Sequence, residues 1–324
     1  MTSPVSEPVA GRLPRLGLGT ATLGNLLQEM GDERAWEILE TAWQVGVRHF
    51  DTAPHYGLGL AERRLGEFLR TRPRHEFVVS TKVGRLLRPN PVWSGELDTG
   101  EQFVVPARLR RVWDLSLDGM RRSVEESLQR LGLERVDVVY LHDPERSSSP
   151  VTPDDAAGAL VRLREEGAAT EVGVASMTTS TLASYAATGA LDVLMVAGRH
   201  TLLDQSAAKD VFPACRRHGT HVVAAAVFNS GLLADPEPSA SSLFDYEAAP
   251  AATVERARRI AATCRELGVP VATAALQFPL RDPLVGCVVT GAGQSGHVRE
   301  NVAALAAPVP AQLWDRLQEQ GLLT

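Results

Sequence analysis

The sequence predicts an α/β protein of the (β/α)8 TIM barrel class in a single domain, and three observations predict it. Strand-like and helix-like segments alternate along almost the whole chain, the strands number eight, and three consecutive strands run into ionisable residues at their ends. Strict alternation requires parallel strands joined by right-handed crossovers, and eight such strands close into a barrel filled by their own side chains. The 324 residues suit one large core, because such barrels run to ~250 residues or more as one domain. Residues 1–12 are expected to be a flexible N-terminus and residues 13–324 the barrel, with long loops at about 84–114 and 229–249.

Taken in order, residues 16–20 form a short glycine-containing strand. A dinucleotide fingerprint fails there because Thr22 stands where the third glycine belongs. Asp32 is the expected N-cap of a first helix, in which Ala35, Ile38, Ala42 and Val45 recur at helical spacing until Gly46. Val45, Val47 and Phe50 then lead like a buried strand to Asp51, and Ala53-Pro54 cannot extend it, so Tyr56 falls in the loop beyond. A helix over 60–70 precedes a strand over 77–81 that runs into Lys82. Residues 84–114, rich in Pro, Gly and Arg and carrying Trp93 and Trp113, read as an irregular lid or binding loop. A helix over 116–131 stops at Gly132, and the strand over 136–141 runs into His142. The rhythm continues with helix 153–166, strand 171–175, helix 179–187, strand 191–197, helix 204–218 and strand 221–227. After the second long loop come helices over 251–267 and 271–280, a strand over 284–290 and a closing helix after Gly296.

Composition narrows the function. A formal charge of −6 without a basic face argues against nucleic acid, and no run of ~18 apolar residues proposes a membrane span. The N-terminal stretch lacks the basic start and apolar run of a secretory signal. Cys215, Cys264 and Cys287 are far apart and odd in number, which fits a reducing cytoplasm better than a disulfide framework. Eight histidines raise a metal-dependent hydrolase as a rival. There is no His-x-His at a strand end and no His-Glu-x-x-His, and the His218/His221 pair lies toward a helix end, so no metal is expected.

If the strands are parallel neighbours, Asp51, Tyr56, Lys82 and His142 converge at one mouth. Singly, each has a structural explanation: a capping acid, a loop aromatic, a snorkelling lysine, a satisfied interior histidine. Jointly they describe proton transfer. A phenol with an ordinary pKa of ~10 needs help, which Lys82 supplies by favouring phenolate while Asp51 holds the ammonium. His142 orients a carbonyl or hydroxyl oxygen toward Tyr56. The partner of that proton transfer is hydride transfer, which side chains cannot perform, so a nicotinamide cofactor is implied.

Asp51-Thr52-Ala53-Pro54-His55-Tyr56-Gly57, Lys82 after Ser80-Thr81, and His142 after Tyr140-Leu141 resemble the signature and catalytic positions of the aldo-keto reductase family, over nearly the whole chain. The resemblance implies a catalytic set of Asp51, Tyr56, Lys82 and His142, with Tyr56 as general acid or base. It also implies NAD or NADP lying extended across the rim without a Rossmann fold. For the cofactor it points to Ser176, to Asn229, Ser230 and Gly231 as a pyrophosphate loop, to the glycines Gly291 and Gly293, and to Glu300 and Asn301 at the adenine. Gly291 and His297 stand where many NADP-preferring members carry lysine and arginine, which shifts the balance toward NAD unless Arg299 compensates. The expected nicotinamide-stacking aromatic falls among Ala224, Ala225 and Ala226 and is unassigned. His55, Trp93 and Trp113 are the substrate-side candidates. Lys82-Val83-Gly84-Arg85-Leu86-Leu87, His142-Asp143-Pro144 and Phe228-Asn229-Ser230-Gly231 are similar to the branch of bacterial dehydrogenases that oxidise L-fucose or D-threo-aldoses at C1 to a lactone, or oxidise pyridoxal. The alternatives are an NADPH-dependent aldehyde or ketone reductase and a cofactor-binding regulatory barrel. The partner expected is a small carbonyl or sugar substrate; oligomeric state is left open.

Overall fold

A computed structural model describes residues 13–324; the expectation for residues 1–12 lies outside the described residues. Eight parallel strands close a barrel in strict sequence order: β1 (Leu16–Gly19), β2 (His49–Asp51), β3 (Val78–Val83), β4 (Val138–His142), β5 (Glu171–Ser176), β6 (Val193–Ala197), β7 (His221–Ala225) and β8 (Val285–Gly291). Asp51 pairs with Ser80, Lys82 with Tyr140, His142 with Ala175 and Gly19 with Gly291, so these residues lie toward one rim.

Alternation along each strand divides the core in two. Val138 and Tyr140 of β4 join Val193, Met195, Val223, Cys287 and Val289 in a cluster that fills the barrel, with Leu13 against it. Val139 and Leu141 face outward into the larger layer between strands and helices. The helices meet that layer through apolar stripes. In α1 (Asp32–Gln44) Ala35, Ile38, Leu39 and Ala42 are buried, and in α3 (Leu117–Leu131) Met120, Val124 and Leu131. Ser116 caps α3 by accepting the Gly119 amide at 3.1 Å. Thr152 caps α4 (Pro153–Glu165), which opens on proline, through the Asp155 amide. The helix α2 (Leu60–Leu69) sits between α1 and α3.

Several expectations need correction. Gly31, not Asp32, is the N-cap of α1, and Asp32 instead binds the Arg64 guanidinium at 2.8 Å from the helix's first turn. The stretch 84–114 is not irregular throughout: Arg85–Pro89 and Leu109–Trp113 form an antiparallel ribbon, and the turn Thr99–Glu101 lies between them. Arginines and prolines hid the alternation there. After α5 (Thr179–Ala187), the single helix expected over 204–218 is two, α6 (Ser206–Asp210) and α7 (Phe212–His218), broken at Val211 before Pro213, whose ring cannot continue a helix begun upstream. The loop 229–249 contains a small hairpin, Leu243–Phe244 with Glu247–Ala248. The chain then continues through α8 (Ala251–Glu266) and α9 (Val271–Gln277), and it ends with α10 (Ser295–Ala306) after β8 and a further helix, α11 (Ala311–Glu319).

Candidate active site

The four residues singled out at the strand ends share one cavity of about 390 Å³ at the mouth of the barrel. At its floor the Lys82 ammonium donates to Asp51 Oδ2 at 2.6 Å and to the Thr52 carbonyl at 3.0 Å. The other carboxylate oxygen accepts from Ser80 Oγ at 2.7 Å, and Ser80 in turn meets His49 Nε2 at 3.0 Å. The acid is thus fixed on both oxygens by two side chains of the next strand, β3. Burial alone pushes the Lys82 ammonium down, but Asp51 and Tyr56 more than offset it and hold the lysine above its ordinary 10.5.

Tyr56 follows β2 in a turn packed hard against Ala21–Gly24. A Cβ on Gly24 would lie 2.7 Å from the Tyr56 carbonyl carbon, and one on Gly57, whose φ is +59°, 2.2 Å from the Gly24 oxygen. Only glycine at both places allows that approach, which sets the phenol over the floor. The ammonium lies 4.9 Å from the tyrosine ring centroid. Lys82 does favour the phenolate, as expected, but it does not win: burial pushes Tyr56 up to about 12, with Asp51 adding to the rise. The expected net lowering is therefore corrected.

His142 stands edge-on to Tyr56, ring centroids 5.9 Å apart, and His55 edge-on to His142 at 5.5 Å. Both imidazoles are held well below the usual histidine range, first by burial and then by Arg85 and further cations. Neutral His142 can therefore donate a hydrogen bond without carrying charge. His55 Nδ1 accepts from Arg111, which leaves the proton on Nε2, turned toward Glu101. Of the substrate-side candidates only His55 lines the cavity. Trp113 lies behind Arg85, whose guanidinium stacks 4.5 Å from its ring, and Trp93 packs under Arg108 on the ribbon. The aromatic walls are instead Phe103 from the ribbon's far turn and Tyr246 from the tip of the small hairpin. Glu101, Gln102, Asp143 and Arg146 make the rim polar, and Glu101 pairs with Arg146 at 3.0 Å across it. Phe103, Tyr246, Glu101, Gln102 and Arg146 carried no local motif; Asp143 stood in the phrase His142-Asp143-Pro144, directly after a strand end.

A groove of about 740 Å³ continues from this cavity and shares Thr22, Leu26, Ala226, Tyr246, Val289 and Gly291 with it. Eight of the nine cofactor candidates line it: Asn229, Ser230, Gly231, Gly291, Gly293, His297, Glu300 and Asn301. Ser176, the ninth, lines the first cavity and donates to Glu145 at 2.6 Å. Ala226, Asn229, Ser230 and Gly231 all have positive φ, folding the loop after β7 into a left-handed wrap, and Ser230 Oγ accepts the Tyr246 amide at 2.9 Å. Asn229 Oδ1 is buried without a partner, an unmet acceptor on a residue that lines the groove. The backbone wrap and the unmet amide oxygen of Asn229 fit a nicotinamide dinucleotide. Arg299 does not line the groove; it reaches Thr41 on α1. Tyr246, at the junction of cavity and groove, occupies the region where Ala224–Ala226 offer no ring.

A closed parallel barrel that joins a proton-transfer cluster to a groove of this kind defines a nicotinamide-dependent oxidoreductase. The chain belongs to the aldo/keto reductase family, which it matches over residues 15–321. It is 48% identical to a D-threo-aldose 1-dehydrogenase from a Pseudomonas species, covering 99% of this chain and 98% of the relative. It is 36% identical to a pyridoxal 4-dehydrogenase from Microbacterium luteolum, covering 95% and 94%. Among solved structures, the holo form of an aldo-keto reductase from Bacillus halodurans superposes with a TM-score of 0.73 at 25% identity, over 96% of this chain and 92% of the other. A glycerol dehydrogenase from Gluconobacter oxydans, at 21% identity and TM-score 0.77 over 98% and 95%, shares the fold. Among the described residues no helix is long and apolar enough to cross a membrane.

Proposed function

We propose that this enzyme oxidises an aldose at C1 to its lactone, with NAD as the hydride acceptor. The observation that carries the reading is the cavity itself. Its floor holds a fixed acid–ammonium–phenol–imidazole set, and its rim offers donors and acceptors in pairs, as a polyhydroxylated substrate requires. The likeness to the Pseudomonas aldose dehydrogenase supports it.

A nicotinamide cofactor held by the groove residues Asn229, Ser230, Gly231, Glu300 and Asn301 would supply the hydride acceptor for C1. The residues supply the rest. His142, neutral and edge-on to Tyr56, donates to the anomeric oxygen and aims its O–H at the phenol. In oxidation the phenolate of Tyr56, the form that the adjacent Lys82 ammonium favours against burial, takes that proton as general base, and in the reductive direction the phenol returns it as general acid. Asp51 keeps the ammonium protonated and in place. The flanking rings of Phe103 and Tyr246 limit water over the reacting carbon.

NAD is favoured because the groove's described lining contains no lysine or arginine, while Glu300 stands at its adenine end. A 2′-phosphate would meet an acid where it needs charge-assisted donors. The three unpaired, buried cysteines suit a reducing cytoplasm. The test is initial-rate spectrophotometry with NAD and NADP against D-threo-configured aldoses and pyridoxal, and with NADH and NADPH against simple aldehydes. Aldose oxidation with NAD is the expected result. Reduction confined to NADPH, or no aldose turnover, overturns the reading.

A further inference from the structure

Asp143 has features that the acid–base chemistry leaves unexplained. It follows His142 directly, yet its backbone turns to φ 42°, ψ 57°, a left-handed conformation that a side chain adopts at a cost, while its amide still donates to the Ala175 oxygen at 2.9 Å. The turn leaves its carboxylate on the cavity wall, Oδ2 lying 3.6 Å from His142 Nε2. Arg85, only 2% exposed, binds Oδ2 and is itself backed by Trp113. A buried cation is an expensive way to hold a part-buried acid, and a reasonable way to aim one. Oδ1 makes no hydrogen bond among the described residues.

We infer that Asp143 reads the hydroxyl on the carbon next to the reacting one. The inference rests on the aldose reading. His142 orients the oxygen at C1, the C2 oxygen is its vicinal neighbour, and the carboxylate beside His142 offers an acceptor with no competing donor. An ionised carboxylate accepts only, so it selects a substrate that presents O–H at this place over an aldehyde that does not. Asp143 is thus a specificity residue, and the ribbon earns its Arg85 and Trp113 by holding it still.

The test compares kcat/KM on a D-threo-configured aldose and on its 2-deoxy analogue, in the unaltered enzyme, Asp143→Asn and Asp143→Glu. The analogue's intrinsic reactivity cancels when the preference for the hydroxylated sugar is compared between proteins. Losing a charge-assisted hydrogen bond should reduce that preference by about 10- to 100-fold. A fall of this size in Asp143→Asn supports the inference. Should that variant fail to fold around an unpaired Arg85, Asp143→Glu, which keeps the charge and displaces the carboxylate, decides in its place. An unchanged preference means Asp143 serves only to hold Arg85 and overturns the inference while leaving the aldose reading intact. If the unaltered enzyme turns over no aldose, both fall.

Discussion

Replacing Asp51 with asparagine isolates the interaction on which the floor of the site depends. The amide keeps the shape and can still accept from Ser80, but it points a donor or a neutral oxygen at an ammonium that is 1% exposed and 2.6 Å away. Removing one partner of a buried pair costs about 3–5 kcal/mol, because the other charge is left uncompensated. Asp51→Asn should therefore lose about that much unfolding free energy near neutral pH. Asp51→Asn combined with Lys82→Met should regain most of the loss, since the orphaned charge is gone. The pH dependence reverses as well. In the parent, Lys82 is held above 10.5, so its contribution is complete below that value and fades as pH climbs through the folded pKa. In Asp51→Asn burial dominates and pushes the lysine below its ordinary value, so the variant gains stability as pH rises toward 10.5. Urea unfolding followed by circular dichroism at several pH values measures all three proteins. A single variant within about 1 kcal/mol of the parent, or a double variant no more stable than the single, refutes the reasoning.

Three further outcomes are expected. Tyr56→Phe removes the proton-transferring oxygen and should lower kcat by about 10²- to 10⁴-fold, with cofactor affinity, read by quenching of protein fluorescence, within a few-fold of the parent; near-normal turnover would remove Tyr56 from the mechanism. His49 and His200 are pushed down to about 4, mainly by burial, so the folded state resists protons that the unfolded chain accepts. Stability should be level above pH 6.5 and fall as pH drops toward 4, by roughly 3 kcal/mol for each of the two, and a flat profile between pH 6.5 and 4 would contradict their burial as neutral rings. Gly291→Lys with His297→Arg should raise kcat/KM for NADP by about 10-fold or more by giving a 2′-phosphate charged partners. A Cβ at Gly291 meets nothing closer than Thr22 at 4.0 Å, so the lysine has room, and no gain would place the adenine ribose elsewhere.

The barrel was legible because its signals are periodic. Helical spacing in α1 and α3 and apolar runs ending at Asp51, Lys82 and His142 survive any local context. Asn229–Gly231 and Gly291, Gly293, His297, Glu300 and Asn301 stood out only through the resemblance to the family, and they line one groove. The substrate wall was not legible. Phe103 and Tyr246 reach the cavity from excursions of many residues, and their placement depends on distant pairings such as Leu26 with Phe103 and Arg199 with Asp245, which leave no local pattern. Tryptophans were a misleading cue: their size suggested a binding surface, whereas Trp113 and Trp93 are platforms for arginines. The net rise of Tyr56 was also out of reach, because the opposing effect of burial depends on surroundings that only packing creates.

The division of labour between barrel and ribbon has a consequence for how such an enzyme diversifies. Asp51, Lys82 and His142 are strand residues, locked in register with neighbours that the whole fold requires. Glu101, Gln102 and Phe103 hang from a two-stranded extension outside that closed circuit, and Tyr246 from a second, smaller one. Substitutions in the extensions change the walls of the cavity without touching the strand register that holds its floor. Inheritance of the reaction and exploration of its substrates are thereby carried by different parts of one chain.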